Sequence, residues 1–397
     1  MSLLSLVLVN LGRNKRRTIL TALSVLVALF LFCALRGVLD TLEASIRVGS
    51  EARLVTRNAI SLIFPLPLSY QERLLTVPGV RSVSYANWFG GRDPVDQSNF
   101  YAQFAVAENY LPIYASDIEI VAFDRPQVAG AVPPGVDPKL AAFMNERDAC
   151  VVGERLFNRM KWKLGQTVPV SGTIFPGTWT FTVRAVYHAK NPAMNEEAMF
   201  FHWKYLSEKG MGGQGQVGWY VLELSDPGQA GAVTRAVDAL YANSAAATHT
   251  ETERAFQAGF VSMYGNVPFL IGVIGLAVVF AILLVAANTM MMATRERTAE
   301  FGVMKTLGFD DGTIFRLVLV EAAVITFGGG ALGALLAKLV IEGSDFNAMG
   351  LLPPMTVRWA TVLVGVAIAV VIGAASGLVP AWQASQRRIV DALRRVE

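Results

Sequence analysis

The chain is 397 residues long, 53% of them hydrophobic and only 16% charged, with a mean hydropathy of +0.43. So little charge at this length argues for a membrane protein with an aqueous portion rather than a soluble globule. A net charge of +3 argues against a nucleic-acid binder. The basic residues are clustered, and the clusters flank apolar runs.

Residues 1–17 start apolar, are too short to span, and end in Arg13, Lys15, Arg16 and Arg17. They read as a cytoplasmic interfacial helix with a basic end. Thr18–Leu35 is free of charge and just long enough to cross a bilayer, so residues 18–39 are the first expected span. A cleaved signal peptide is the competing reading. The run is longer than a usual signal core, no small-x-small site follows it cleanly, and Leu31-Phe32 before Cys33 is unlike a lipoprotein cleavage box. An uncleaved span is expected.

Residues 40–260 hold no spanning segment and enough apolar residues for a core of their own. Asn58–Phe64 reads as a strand, Ser69–Val77 as a short helix, and Pro78-Gly79 as a turn into a strand at Arg81–Tyr85. Phe100–Ala107 alternates weakly as another strand, and Ala122–Val136, rich in Pro, Gly and Ala, reads as a loop or subdomain boundary. Val151–Met160 reads as a strand end passing into a helix; Gly165–Val170 and Thr178–Tyr187 read as strands of a small sheet. Gly210–Gly218 has five glycines in nine residues and lacks the Gly-Lys-Ser/Thr of a phosphate cradle, so it is expected to be a flexible loop. Val217–Leu224 and Pro227–Asn243 form a strand–helix unit, and His249–Phe256 leads toward the next apolar run. The portion is α+β.

No charged residue falls between Arg254 and Arg295, and residues 265–294 are the second expected span. A short charged helix follows at 295–312. Arg295, Arg297, Glu300 and Lys305 are interleaved there with Phe301, Val303, Met304 and Leu307, and Phe301, Met304 and Leu307 share one face. Gly308 supplies a stop and Asp310-Asp311-Gly312 a turn. Too polar for lipid, this helix is expected to lie flat on the membrane, as a plain connector or as a docking element for a cytosolic motor. Residues 315–338 and 359–384 are the third and fourth spans, joined by a short outer loop at 339–358, with a tail at 385–397.

Lys and Arg number four before the first span, four in the central loop (295, 297, 305, 316) and four in the tail (387, 388, 394, 395). The loop at 339–358 is poor in them. The positive-inside rule therefore puts both termini and the central loop in the cytoplasm and residues 40–260 outside. The expected class is a membrane α-helical protein of four transmembrane helices, with a large α+β extracytoplasmic domain inserted between helices 1 and 2. Gly329 with Gly333, and Gly373 with Gly377, suit close helix packing in lipid, within the chain or at a dimer seam. Glu321, the one acid inside an expected span, should sit at interfacial depth, snorkelled or paired with an Arg; a proton relay is the sharper alternative.

No Walker-type loop, Gly-x-Ser-x-Gly elbow or zinc spacing occurs, and no chain of intramembrane acids suggests ion coupling. Cys33 and Cys150 are far apart and suggest no structural disulfide. His188, His202 and His249 show no ligand spacing with cysteine or carboxylate, so neither a metal site nor a catalytic residue is expected.

Arg295-Glu-Arg-x-x-Glu-Phe-Gly-Val-Met-Lys-Thr-Leu-Gly308, followed by Glu321 and Gly328-Gly-Gly-Ala-Leu-Gly333, resembles the MacB/FtsX-type ABC transporter permeases of the type VII, mechanotransmission class. Phe301 stands where that pattern has an aliphatic residue, and Thr306 where it has alanine. Asn10–Thr18, Val77–Val80, Val151–Leu156, Lys163–Thr167, Pro380–Ala384 and Val390–Leu393 resemble further landmarks of the family; Ala122–Val136 and Gly210–Gly218 match none. The resemblance implies a lipoprotein-release-like permease of the bacterial inner membrane that dimerises, as a homodimer or heterodimer, on a separate cytosolic ABC ATPase dimer. No ATPase domain is fused within these residues. ATP and Mg would be bound by the partner, with no cofactor in this chain. Arg295, Arg297, Glu300, Phe301, Gly302, Met304, Lys305, Leu307 and Gly308 would contact the ATPase, with Phe301 as apolar anchor. The implied function is export or extraction of a lipid, lipoprotein or amphiphile, with membrane lipids and a periplasmic adaptor or acceptor as further partners. The alternative is a non-transporting regulator that pulls on a periplasmic hydrolase or sensor.

Overall fold

The structure, a computed structural model, describes residues 3–96, 99–128, 130–191, 194–209, 215–262, 266–343 and 355–387. Helix α1 (Leu3–Arg13) is followed at once by α2 (Lys15–Val48). The span expected to end at residue 39 continues as helix, because nothing in Leu39-Asp-Thr-Leu-Glu-Ala-Ser45 breaks it. Asp40 is tolerated because the Thr361 hydroxyl donates to its carboxylate at 2.5 Å.

Next in the chain come β1 (Arg53–Asn58), β2 (Leu66–Pro67), α3 (Tyr70–Leu75), β3 (Val80–Trp88), β4 (Gly91–Arg92), β5 (Ala102–Val106), α4 (Tyr110–Ile113) and β6 (Ile118–Phe123). Then follow α5 (Ala141–Asn145), β7 (Ala149–Gly153), α6 (Glu154–Met160), β8 (Thr167–Gly172), β9 (Gly177–Ala189), β10 (Ala198–His202) and α7 (Trp203–Lys209). The unit closes with β11 (Gln216–Val217), β12 (Trp219–Leu224), α8 (Ala230–Tyr241), β13 (Thr248–Thr252) and α9 (Glu253–Ser262). Among the described residues, eleven strands form one sheet in the order β13-β1-β12-β3-β5-β10-β7-β9-β8-β4, with β6 also on β9; β2 and β11 pair separately. Pairing is antiparallel except for β5 with β10 and β7 with β9. This mixed sheet is far larger than the small one expected, since parallel partners are set by crossovers that leave no local pattern. One core holds Leu54, Phe89, Trp179, Phe181 and Tyr220; a second holds Tyr110, Phe143, Val151 and Tyr187.

Several expectations need correction. The strand placed at Asn58–Phe64 is β1, one element earlier, and the Ile60 and Ile63 that suggested it stand exposed in the turns that follow. Its charged positions concealed it. Arg53 is neutralised by Glu253 (2.8 Å) and Asp117 (2.6 Å), and Arg57 by Glu251 (3.3 Å). Thr248–Thr252 is a strand rather than the expected leader toward the next apolar run, because it pairs in register with β1. Ala122 and Phe123 belong to β6 rather than to the following loop. Within Gly210–Gly218, residues 210–214 lie outside the described residues, and Gln216–Val217 pairs with β2.

The remaining helices are α10 (Val267–Glu296), α11 (Thr298–Thr306), α12 (Asp311–Gly343) and α13 (Trp359–Gln386). With α1 and most of α2 they form a second compact unit. Among the described residues, four helices are long and apolar enough to cross a membrane, over Lys15–Ala44, Pro268–Glu296, Asp311–Gly343 and Trp359–Gln386. The third begins earlier and ends later than residues 315–338, so the helix takes up the first residues of the loop expected at 339–358. Among the described residues the paired glycines pack inside the chain. A Cβ on Gly329 would strike the carbonyl oxygen of Ala22, and one on Gly333 that of Leu26. Gly373 faces Thr326 and Ala323, and Gly377 faces Ala322 and Leu319. Close backbone approach substitutes here for the hydrophobic drive that lipid cannot supply.

Candidate coupling site

The charged helix expected from Arg295 is two pieces. Helix α10 continues to Glu296, the chain turns at Arg297, and α11 starts at Thr298. Gly308, at φ +93°, ends α11: its N–H bonds the Lys305 carbonyl, and the Phe309 N–H bonds that of Met304, both at 3.1 Å. These two bonds form a Schellman stop, which a Cβ at this φ would strain.

Arg297 turns inward. Its guanidinium donates to Glu321 at 2.7 Å and to Glu300 at 3.1 Å and lies over the Phe301 ring at 5.3 Å. Glu321 is buried on α12, so it pairs with an arginine as one reading held, and the partner is Arg297 rather than the nearby Arg316. Glu300 accepts a second arginine, Arg13 at the end of α1, at 2.8 Å. Arg17 of α2 meets Glu296 at 2.5 Å.

Lys305 makes the other tie. Its ammonium donates to the carbonyls of Ser385 (2.6 Å) and Arg387 (2.8 Å) and pairs with Asp311 at 2.7 Å. One cation thus satisfies carbonyls that the end of α13 leaves without helical partners, and holds the acid at the start of α12. Arg387 reaches back to the Thr298 hydroxyl at 3.3 Å. Asp310, exposed at the turn, has its carboxyl held below the usual range by the Thr313 hydroxyl.

The apolar residues divide differently from the expectation. Phe301 is 3% exposed and sits among Val7, Met290, Ile314, Leu317 and Ala381, so it cannot be a surface anchor. It alternates in sequence with residues that do face outward, and composition alone cannot tell the two faces apart. Gly302 is buried beside it and Met304 is half-buried against the same core. Val303 (48%), Leu307 (73%) and Phe309 (40%) form the exposed apolar strip, and Arg295 is exposed on the preceding helix. Arg13, Thr298, Asp311 and Arg387 went unread as parts of this site. The ties of Arg13, Thr298 and Arg387 cross 80 or more residues and leave no spacing signal, whereas Asp311, close to Lys305 in the chain, carries only a turn signal in the sequence.

Of the histidines read as lying outside any ligand set, His202 is buried with its Nε2 on the Phe143 carbonyl, and His249 faces Glu251 at 3.8 Å. His188 differs: it stands between two carboxylates, Glu154 and Glu196.

Residues 269–389 match the model of the FtsX-like permease C-terminal family. The macrolide export ATP-binding/permease protein MacB of Shewanella sp. (strain ANA-3) is 35% identical over 27% of this chain and 16% of its own length. The ABC transporter permease YknZ of Bacillus subtilis (strain 168) is 31% identical over 27% of this chain and 26% of its own. The chain therefore aligns with about a quarter or less of the curated relatives it matches. The periplasmic region of MacB from Actinobacillus actinomycetemcomitans superposes on 54% of this chain and 95% of its own, with a TM-score of 0.37 and 11% identity.

Proposed function

From the premise that this chain carries an FtsX-like permease domain homologous to those of MacB and YknZ, we propose that it is the membrane subunit of an ABC transporter, driven by a separate cytosolic ATPase. In this reading ATP and Mg bind the partner, and closure of the ATPase dimer pushes on α11. Two permease copies respond together, moving their 40–260 domains on the outer side of the bacterial inner membrane to export or extract an amphiphile. The charge distribution supports this orientation, with termini and α11 in the cytoplasm.

The observation that carries the proposal is the pairing of an exposed apolar strip with a rigid lattice beneath it. Val303, Leu307 and Phe309 offer the contact. Arg297 and Lys305 bind the same short helix to α12 and α13, and Glu300 binds it to α1. A force on Leu307 is then delivered to two spans and the interfacial helix at once, rather than dissipated in a loop.

The test is reconstitution of the permease with the ATPase that co-purifies from its host. Val303→Asp with Leu307→Asp should release the ATPase and abolish ATP-driven transport, while membrane insertion and melting temperature stay close to wild type. Charge reversal at Glu300 and Lys305 together should uncouple transport through the lattice. An unchanged ATPase complex and unchanged transport in both double variants would remove the coupling role.

A further inference from the structure

Glu154, His188 and Glu196 lie in the outer unit and take no part in the proposed coupling. They come from three places: the first turn of α6, the last residues of β9, and the segment entering β10. Their ligand atoms all fall within 4.8 Å of one another. His188 Nδ1 is 2.8 Å from a Glu154 oxygen and 3.0 Å from Glu196 Oε1.

The support beneath them is rigid. Glu196 is buried, and its Oε1 accepts from the Ala189 N–H at 2.6 Å while Oε2 accepts from Arg155 Nε at 3.1 Å. Its carbonyl accepts from the Leu156 N–H at 3.2 Å, and a Cβ on Gly153 would collide with that same carbonyl. The loop is thus pressed against the β7–α6 junction, and the Tyr187 hydroxyl fixes it again through the Asn195 carbonyl at 2.8 Å. Outer contacts that fix ligand orientation in this way are what a metal site requires of its surroundings.

We propose that Glu154, His188 and Glu196 bind a divalent transition-metal ion of the zinc type, with water completing the coordination. One imidazole nitrogen and two carboxylate oxygens are borderline-to-hard donors that suit zinc. Calcium and magnesium are disfavoured, because they take six or more ligands, all oxygen. With His188 neutral the two glutamates and Arg155 sum to one negative charge, which a dication reverses without building up repulsion. Tetrahedral zinc with bonds of about 2.0–2.1 Å sets its ligands roughly 3.3 Å apart. The two separations from His188, 2.8 and 3.0 Å, need to open by only a few tenths of an ångström, and the two glutamate oxygens already lie within 4.8 Å of each other; His188 and Glu154, both about half exposed, have room to adjust. Their exposure also leaves the open position accessible to water.

The experiment uses the full chain in detergent, stripped with a chelator and titrated with zinc against a competing fluorescent dye. Thermal unfolding is followed in parallel. Wild type should take up one equivalent that raises its melting temperature, and calcium at the same concentration should not. His188→Ala and Glu154→Gln should weaken that uptake by at least about tenfold, with the metal-free melting temperature held, since both side chains are half exposed. Zinc uptake by His188→Ala equal to wild type, no stoichiometric uptake by wild type, or an equal response to calcium would each overturn the assignment.

Discussion

Arg297 and Glu321, 24 residues apart in the chain, meet at 2.7 Å with both side chains largely withdrawn from solvent. Their pairing fastens the turn before α11 to α12. Removing one partner leaves the other buried and uncompensated, which costs about 3–5 kcal/mol; replacing both by apolar groups of similar volume need not. Arg297→Met should therefore lower the melting temperature sharply in detergent, and Arg297→Met with Glu321→Met should recover much of the loss. Both proteins should nonetheless lose transport, because the tie is gone. A double variant no more stable than the single would show that the pair is not what Arg297 contributes.

Phe301 and Leu307 are both apolar residues of the 295–308 segment, yet the structure gives them opposite surroundings. Phe301→Ala should destabilise by about 3–5 kcal/mol through the cavity it leaves. Leu307→Ala should hardly change the melting temperature, since the side chain is 73% exposed. Binding of the ATPase should respond in the opposite sense, with Leu307→Ala the more damaging once expression is matched. Melting curves and co-purification on the two variants distinguish these outcomes.

Gly328 and Gly329 are neighbours with opposite surroundings. A Cβ on Gly328 meets nothing within 4 Å, whereas one on Gly329 runs into the backbone of Ala22. Backbone cannot step aside as a side chain can, so Gly329→Ala should cost about 1–3 kcal/mol through overpacking. Gly328→Ala should be neutral or slightly stabilising, from helix propensity. Melting of the two variants in the same detergent checks it, and equal behaviour would mean that α2 and α12 do not approach this closely.

What could be read from the sequence follows from the range of the interactions. Long apolar runs bounded by arginine announced four spans, because burial in lipid is a local property of composition. Gly308 announced the end of α11, since a Schellman stop needs nothing beyond its own turn. The inward and outward faces of α11 were not legible: Phe301 and Leu307 differ only in what the rest of the chain places over them. Strand β1 escapes a local reading because its charges look wrong for a core until Glu253 and Glu251 arrive from 200 and 194 residues away. The ligand-like set at His188 was missed because its glutamates sit 34 and 8 residues off, at intervals that match no metal motif.

His202 supplies a pH test within the sheet-bearing unit. It is buried against Phe143, with ring centroids 4.3 Å apart, and burial lowers its pKa from the ordinary value. The folded state therefore takes up this proton less readily than the unfolded chain, where a histidine titrates near about 6.5. Above that pH both states are neutral at this site and nothing is lost. As the pH falls below about 6.5 the unfolded chain binds the proton first, and stability declines until the folded-state pKa is passed, where the loss levels off. His202→Gln keeps a donor for the Phe143 carbonyl but does not titrate. The variant should start somewhat less stable at pH 7.5, from lost packing, and then lose less melting temperature than wild type on going to pH 5.5. Parallel melting curves at the two values decide it; the same acid-induced drop in both proteins would mean that His202 is protonated without opening the core.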